Sequence, residues 1–338
     1  MKRRIAFLLV LVPLAACGGG SSPTEPSGTP SSTVLQGQTV SAIDGAPIPN
    51  LSVKIGTRFP VNVDGSGFFR VDVGNQSAYT AVVDGNAVVE RETRMTATAS
   101  PTRVSMIPST FDIHAFDEMF RTSNAQLQRW TSRPALVILG AVMDYRNGSD
   151  QTYSATGEQL TDEEIDLLKG HLTEGLAFLT GGTYMSFASI EIERPSAGTR
   201  VNTLRAGQIV VGRYNGIMNL AKTIGYGLWS VQPSGSIAGG AMYLARTFDK
   251  DDNRRRLLRV HELGHALGYQ HVESRTSIMN PSIGPEPTEF DRAGALIAFA
   301  RPVGNKSPDV DPSSTVLSAS TGGGRWTGPA TKCNPVGQ

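Results

Sequence analysis

The chain has 338 residues, 31 of them Lys or Arg and 30 Asp or Glu, for a formal net charge of +1 at pH 7. That balance, with only 18% charged residues, leaves no electrostatic footprint for nucleic acid, and no RNA-binding or helix-turn-helix signature is present. Two cysteines, Cys17 and Cys333, rule out a disulfide framework, so stability falls to an ordinary apolar core.

Met1-Lys2-Arg3-Arg4 is a basic opening, and Ile5 to Leu14 is an apolar run interrupted only by Pro13. The run is shorter than the roughly 20 residues a membrane-spanning helix needs. Leu14-Ala15-Ala16-Cys17 follows and resembles a bacterial lipobox. The resemblance implies removal of residues 1–16 as a signal peptide and acylation of Cys17. Several acyl chains give stable anchoring where one would be marginal. With Cys17 so used, Cys333 has no intrachain partner and reads as a free thiol without catalytic importance. Residues 17–33 contain little but Gly, Ser, Pro and Thr and read as a flexible tether. The expected location is the bacterial cell envelope, lipid-anchored and extracytoplasmic, on the outer membrane if the host has one.

Residues 34–108 alternate in short runs: Leu51–Ile55, Phe68–Val73, Tyr79–Val83 and Arg103–Ile107 are the clearest strands. Asp44-Gly45, Asp64-Gly65 and Asp84-Gly85 mark the turns. A small all-β sandwich is expected. Its Ala-Ile-Asp-Gly-Ala-Pro-Ile-Pro opening and its Asp-Gly-Ser-Gly-Phe-Phe-Arg-Val hairpin resemble carboxypeptidase regulatory-like, prealbumin-type domains, modules that often serve as spacers. Asp64-Gly-Ser-Gly lacks the further carboxylates of a calcium loop and reads as a turn.

Residues 109–301 mix helix and strand, so the fold class is α+β. Phe116, Met119, Phe120, Leu127 and Trp130 have helical spacing over Ala115–Trp130, with a break at Thr122–Asn124 possible. Ala135–Met143 reads as a buried strand. Thr161-Asp-Glu-Glu164 is a capping box for a helix whose apolar face is Ile165, Leu168, Leu172, Leu176 and Leu179, with His171 toward solvent or the helix margin. Ser186–Glu193 and Gln208–Gly212 read as strands, Ile237–Leu244 as an edge strand, and Gly212–Gly240 has no assignment beyond turn-rich. Asp251, Asp252 and Asn253 are N-cap candidates for a buried helix carrying Leu257, Leu258, Val260, Leu263, Ala266 and Leu267, and Arg254–Arg256 is its solvated first turn. Thr288-Glu-Phe-Asp291 caps a last helix through Ala300, and residues 302–338 are expected to be a disordered tail.

The buried helix carries the chemistry. Residues 261–271 read His-Glu-Leu-Gly-His-Ala-Leu-Gly-Tyr-Gln-His. His261 and His265 are four apart and project from one helix face, where both imidazoles reach one Zn²⁺ at roughly 2.0–2.1 Å. Glu262 sits one position round, placed to hold and deprotonate a water. Gly268 lets the chain leave the helix in a left-handed conformation and swing His271 back as a third ligand. Three protein ligands and an open fourth position make a catalytic rather than a structural zinc site.

These residues, with Met279 in Ser277-Ile278-Met279-Asn280-Pro281, resemble the metzincin metallopeptidases, and the matrixins among them, whose H-E-x-x-H-x-x-G-x-x-H motif precedes a tight turn carrying a Met. The resemblance implies a metzincin-like domain with a twisted mixed sheet, active-site helix, Met-turn and C-terminal helix. It also implies one catalytic zinc on His261, His265 and His271, and Glu262-assisted attack of zinc-bound water on a peptide bond. The implied partners are a protein or peptide substrate, added as a strand to the sheet edge above the helix, and the membrane through the N-terminal lipid, with no nucleic acid. Some relatives place a Tyr two residues after the Met; here that residue is Pro281, so no second oxyanion group is assigned. The matrixin device in which an upstream Cys caps the zinc has no candidate here other than Cys17. Two alternatives stay open: an inactive zinc-binding adhesin on a protease fold, and a non-peptidase zinc amide hydrolase.

Overall fold

Seven short strands form where the first part of the chain alternates, in a computed structural model that describes residues 33–74, 78–121, 125–146, 151–313 and the strand 331–333. Residues 1–32, with the signal peptide, Cys17 and all of the tether but Thr33, lie outside the described residues, as do 314–330 and 334–338. The strands are β1 (Thr33–Ser41), β2 (Ser52–Ile55), β3 (Val61–Asn62), β4 (Phe68–Val73), β5 (Tyr79–Asp84), β6 (Arg91–Met95) and β7 (Thr102–Met106). They make a sheet of order β4-β1-β7 and another of order β3-β2-β5-β6. β4 has the period of a half-buried strand: Phe69, Val71 and Val73 point inward while Phe68, Arg70 and Asp72 face water. Leu35, Val53, Ile55, Val83, Val104 and Met106 join them in one apolar cluster lined by both sheets.

The remainder builds on a mixed, nine-stranded sheet. In chain order come α1 (Ile113–Phe120), β8 (Ala135–Leu139), β9 (Ala141–Asp144), β10 (Thr152–Gln159), α2 (Asp162–Leu179), β11 (Ile190–Glu193), β12 (Arg200–Asn202), β13 (Gln208–Asn215), α3 (Ile217–Leu220), β14 (Gly225–Val231) and β15 (Ile237–Ala245). Then follow α4 (Arg246–Asp251), α5 (Arg255–Ala266), α6 (Glu289–Ala300) and β16 (Thr331–Cys333). β13 runs parallel to β8 and β15, β11 parallel to β8, and β14 antiparallel to β15. The expected strand 135–143 breaks at Gly140 into β8 and β9, both parallel to β13. α2 begins as its capping box requires, Thr161 Oγ1 accepting from Glu164 N at 3.2 Å and Glu164 Oε2 from Thr161 N at 2.9 Å. α5 lies between α2 on one side and β14 and β15 on the other, which fixes the helix that carries the motif.

Several expectations need correction. β15, expected at an edge, lies between β13 and β14. The helix expected over Ala115–Trp130 ends at Phe120, because Leu127 and Trp130 are buried by tertiary contacts instead; Trp130 Nε1 donates to Ala266 O at 3.0 Å. Asp251 closes α4 and does not cap α5, whose N-cap is Arg254. The Arg254–Arg256 run is half-buried rather than freely solvated, with Arg254 on Asp252 and Arg256 on Glu286, so local carboxylates offset its place at the positive end of the helix.

A further correction concerns the tail, which is ordered over 302–313. Arg301 and Asp309, both fully buried, pair through two bonds of 2.7 and 2.6 Å. Arg91 of β6 reaches Asp311 at 2.8 Å, and Glu92 exchanges backbone bonds with Asp309 and Asp311 at 3.0 and 2.9 Å. Composition alone reads such a Pro- and Ser-rich stretch as unable to bury a core. What orders it is ionic and remote in sequence, and it ties the β module to the mixed sheet within one compact unit from Thr33 onward.

Candidate metal centre

His261 and His265 leave α5 one turn apart, and both are fully buried. Each gives its Nδ1 hydrogen to a carbonyl: His261 to Ile278 O at 2.6 Å and His265 to Tyr269 O at 2.7 Å. Those bonds fix the tautomer and leave both Nε2 atoms as bare acceptors. They face each other at 3.0 Å, an arrangement of two lone pairs that a cation between them relieves.

His271 is brought in by the turn after the helix. Gly268 has φ of +100°, and a Cβ there would lie 2.5 Å from Ile237 Cδ1, so both conformation and space demand glycine. Tyr269 N bonds back to Gly264 O at 2.9 Å, and Gln270 N to Met119 O at 2.9 Å. His271 Nε2 is buried without a hydrogen-bond partner. One nitrogen from each of the three histidines lies within 4.8 Å of the others. Neutral imidazoles with unspent Nε2 atoms, two of them oriented by carbonyls, are the donor set zinc prefers, so the residues present fit the ion.

Burial holds these rings neutral. Desolvation pushes His261 down to about 3 and His271 to about 4, and lowers His265 strongly. In the unfolded chain they take protons near 6.5, so the folded values are depressed and the stability they contribute is present above about pH 6.5. As pH falls from there toward 4, each should cost the metal-free protein about 1.4 kcal/mol per pH unit. Chemical denaturation in chelator at stepped pH should show that slope, and a flat profile across the window would contradict it.

Met279 is fully buried beneath the helix, and a Cβ on Gly264 would stand 2.5 Å from its sulfur. The turn carrying it is held from α6: buried Asp291 accepts from Ser277 Oγ and from Ile278 N at 3.1 Å, and Thr288 N donates to it at 2.7 Å. Asp291 therefore caps α6 and fixes the carbonyl that orients His261. Sequence reasoning found the cap and missed the second role, because nothing local links a helix N3 carboxylate to a turn upstream. Tyr269 was missed too. Its carbonyl orients His265, while its hydroxyl donates to Leu179 O and anchors the turn to the end of α2.

Glu262, fully buried, follows His261 on α5 and lies beneath β14: a Cβ on Gly225 would be 2.7 Å from its Oε1. His171 stands apart, half-buried, with Nδ1 3.1 Å from Arg259 Nη1. Replacing His271 with Ala should leave two imidazoles and an under-coordinated ion, so elemental analysis of the purified variant should find zinc largely lost; undiminished zinc would remove His271 from the ligand set.

No curated protein matches the chain. Residues 155–294 match the family model described as Matrixin, a zinc-dependent family, and this span includes α2, β14, β15, α5 and the Met279 turn. Together with the clustered histidines, the match supports a zinc metallopeptidase-like domain with a metzincin-like fold over that part of the chain.

Proposed function

We propose that the protein is a membrane-anchored, extracytoplasmic zinc endopeptidase. The observation that carries this reading is the meeting of three neutral, carbonyl-oriented or unpartnered imidazoles with a buried carboxylate next along the same helix. His261, His265 and His271 would hold the ion, which when bound supplies Lewis acidity toward a carbonyl and a water. Glu262 takes the proton of the attacking water and passes it to the leaving amine. An extended peptide joins the sheet at β14, whose glycines let the strand lie directly on α5. Clearing of casein by protein lacking residues 1–32, abolished by chelator and restored by zinc, tests the reading. Zinc binding without clearance would favour an adhesin-like module, and cleavage confined to non-peptide amides would favour another zinc hydrolase.

The lipid anchor belongs to the same proposal. Cys17→Ser should turn a membrane-pelleting, detergent-phase protein into a soluble or unprocessed one, and recovery of the unsubstituted protein wholly in the aqueous phase of a detergent partition would refute it. The β module, which resembles regulatory-like domains in sequence, acts as a fixed spacer between lipid and site, since Arg91 and Glu92 hold it to residues 309–311.

A further inference from the structure

β14 is paired on both sides. Its inner neighbour is β15, along the whole strand. On its outer side Gly225, Tyr226 and Gly227 pair antiparallel with Cys333, Lys332 and Thr331 of β16. Two of these residues overlie the site: a Cβ on Gly225 would meet Glu262 Oε1 at 2.7 Å, and one on Gly227 would meet His265 Cβ at 2.5 Å. Neighbouring strands stand about 4.8 Å apart, so the backbone of 331–333 occupies the lane immediately beside the residues covering Glu262 and His265. Leu228–Val231 have no strand on that side among the described residues.

We propose that residues 331–333 of this chain are the resident occupant of the outer edge of β14, closing that edge to other extended segments until they leave. The inhibitory consequence rests on the peptidase reading above; the docking does not. Backbone pairing is indifferent to side chains, so any extended segment that displaces β16 gains the same ladder. Covalent attachment through residues 314–330 sets a local concentration on the order of millimolar. A pairing with a dissociation constant of about 0.1 mM would then leave the edge open about a tenth of the time, so freeing it should raise kcat/KM about tenfold.

The test is the full chain with Thr331→Pro and Lys332→Pro together. Successive amides of an extended strand point to opposite edges, so one of the two prolines must delete a donor facing β14 whichever way the ladder is phased. Hydrogen–deuterium exchange over 225–227 should be slow in the unsubstituted chain and fast in the variant. A synthetic peptide of residues 327–338 should restore protection to the variant. Casein turnover by the zinc-loaded variant should rise about tenfold. Equal exchange in the two chains overturns the docking. Faster exchange with measurable but unchanged casein turnover overturns the closure. Faster exchange with no turnover from either chain, zinc present, removes the peptidase reading and leaves the docking established.

Discussion

Glu262→Gln should retain zinc and thermal stability and lose on the order of 10²–10⁴-fold in turnover, the range for a positioned general base. Gln keeps the size of the side chain and all three imidazoles, so the change removes only the capacity to accept a proton. The site makes this a clean comparison. Glu262 is fully buried on the interior of α5, and β14 lies directly above it, so an amide of equal length occupies the same space. The corresponding barrier increase is about 2.7–5.5 kcal/mol. Metal content and turnover should be measured on the same samples, since a variant that lost zinc would mimic the result. Full turnover at matched zinc would move the base to another residue and leave the motif a metal-holding scaffold.

The centre was legible because its parts lie in one stretch whose geometry is local. Helical spacing aligns His261 with His265, and Gly268 marks the left-handed exit that returns His271. What lay hidden is what the tertiary structure adds. β14 carries Gly225 and Gly227, residues that dilute the strand signal, yet they are glycine because α5 approaches so closely that a Cβ on Gly227 would stand 2.5 Å from Glu262 O. Tyr226 and Trp229 between and beyond them are both buried, but two aromatic residues among glycines read as a turn-rich stretch. The order of residues 302–313 depends on Arg91 and Arg301, whose partners Asp311 and Asp309 look like ordinary tail carboxylates in sequence. β16 likewise has no period to detect in three residues; only its pairing with β14 distinguishes it. In the first part of the chain, by contrast, alternation sufficed for β2, β4, β5 and β7, since each buries one face.

Asp249→Ala should destabilise the protein by about 3–5 kcal/mol, because it leaves buried Arg259 without an anionic partner and takes one of two from Arg213. Asp249 has no exposed surface and receives Arg213 Nε at 2.6 Å on one oxygen and Arg259 Nε at 2.6 Å on the other. Arg259 Nη2 adds a bond of 2.9 Å. The three residues come from α4, β13 and α5, so a single carboxylate joins the helix that carries His261 to the centre of the sheet. Without it Arg213 keeps Glu164, which is partly exposed. Arg259 keeps a long bond to the backbone carbonyl of residue 249 at 3.4 Å and His171, whose pKa burial and then the Arg259 charge itself hold below the ordinary value; both accept a hydrogen bond and neither supplies negative charge. Burying a paired charge is not in itself stabilising relative to apolar packing; the cost lies in removing one partner. Asp249→Leu combined with Arg259→Met should therefore recover much of what Asp249→Ala loses, with Arg213 still held by Glu164. Urea denaturation of the metal-free proteins measures both quantities. A loss below about 1 kcal/mol for Asp249→Ala would mean that water reaches the two guanidiniums as α4 relaxes, and the carboxylate would then not be what holds the helix in place.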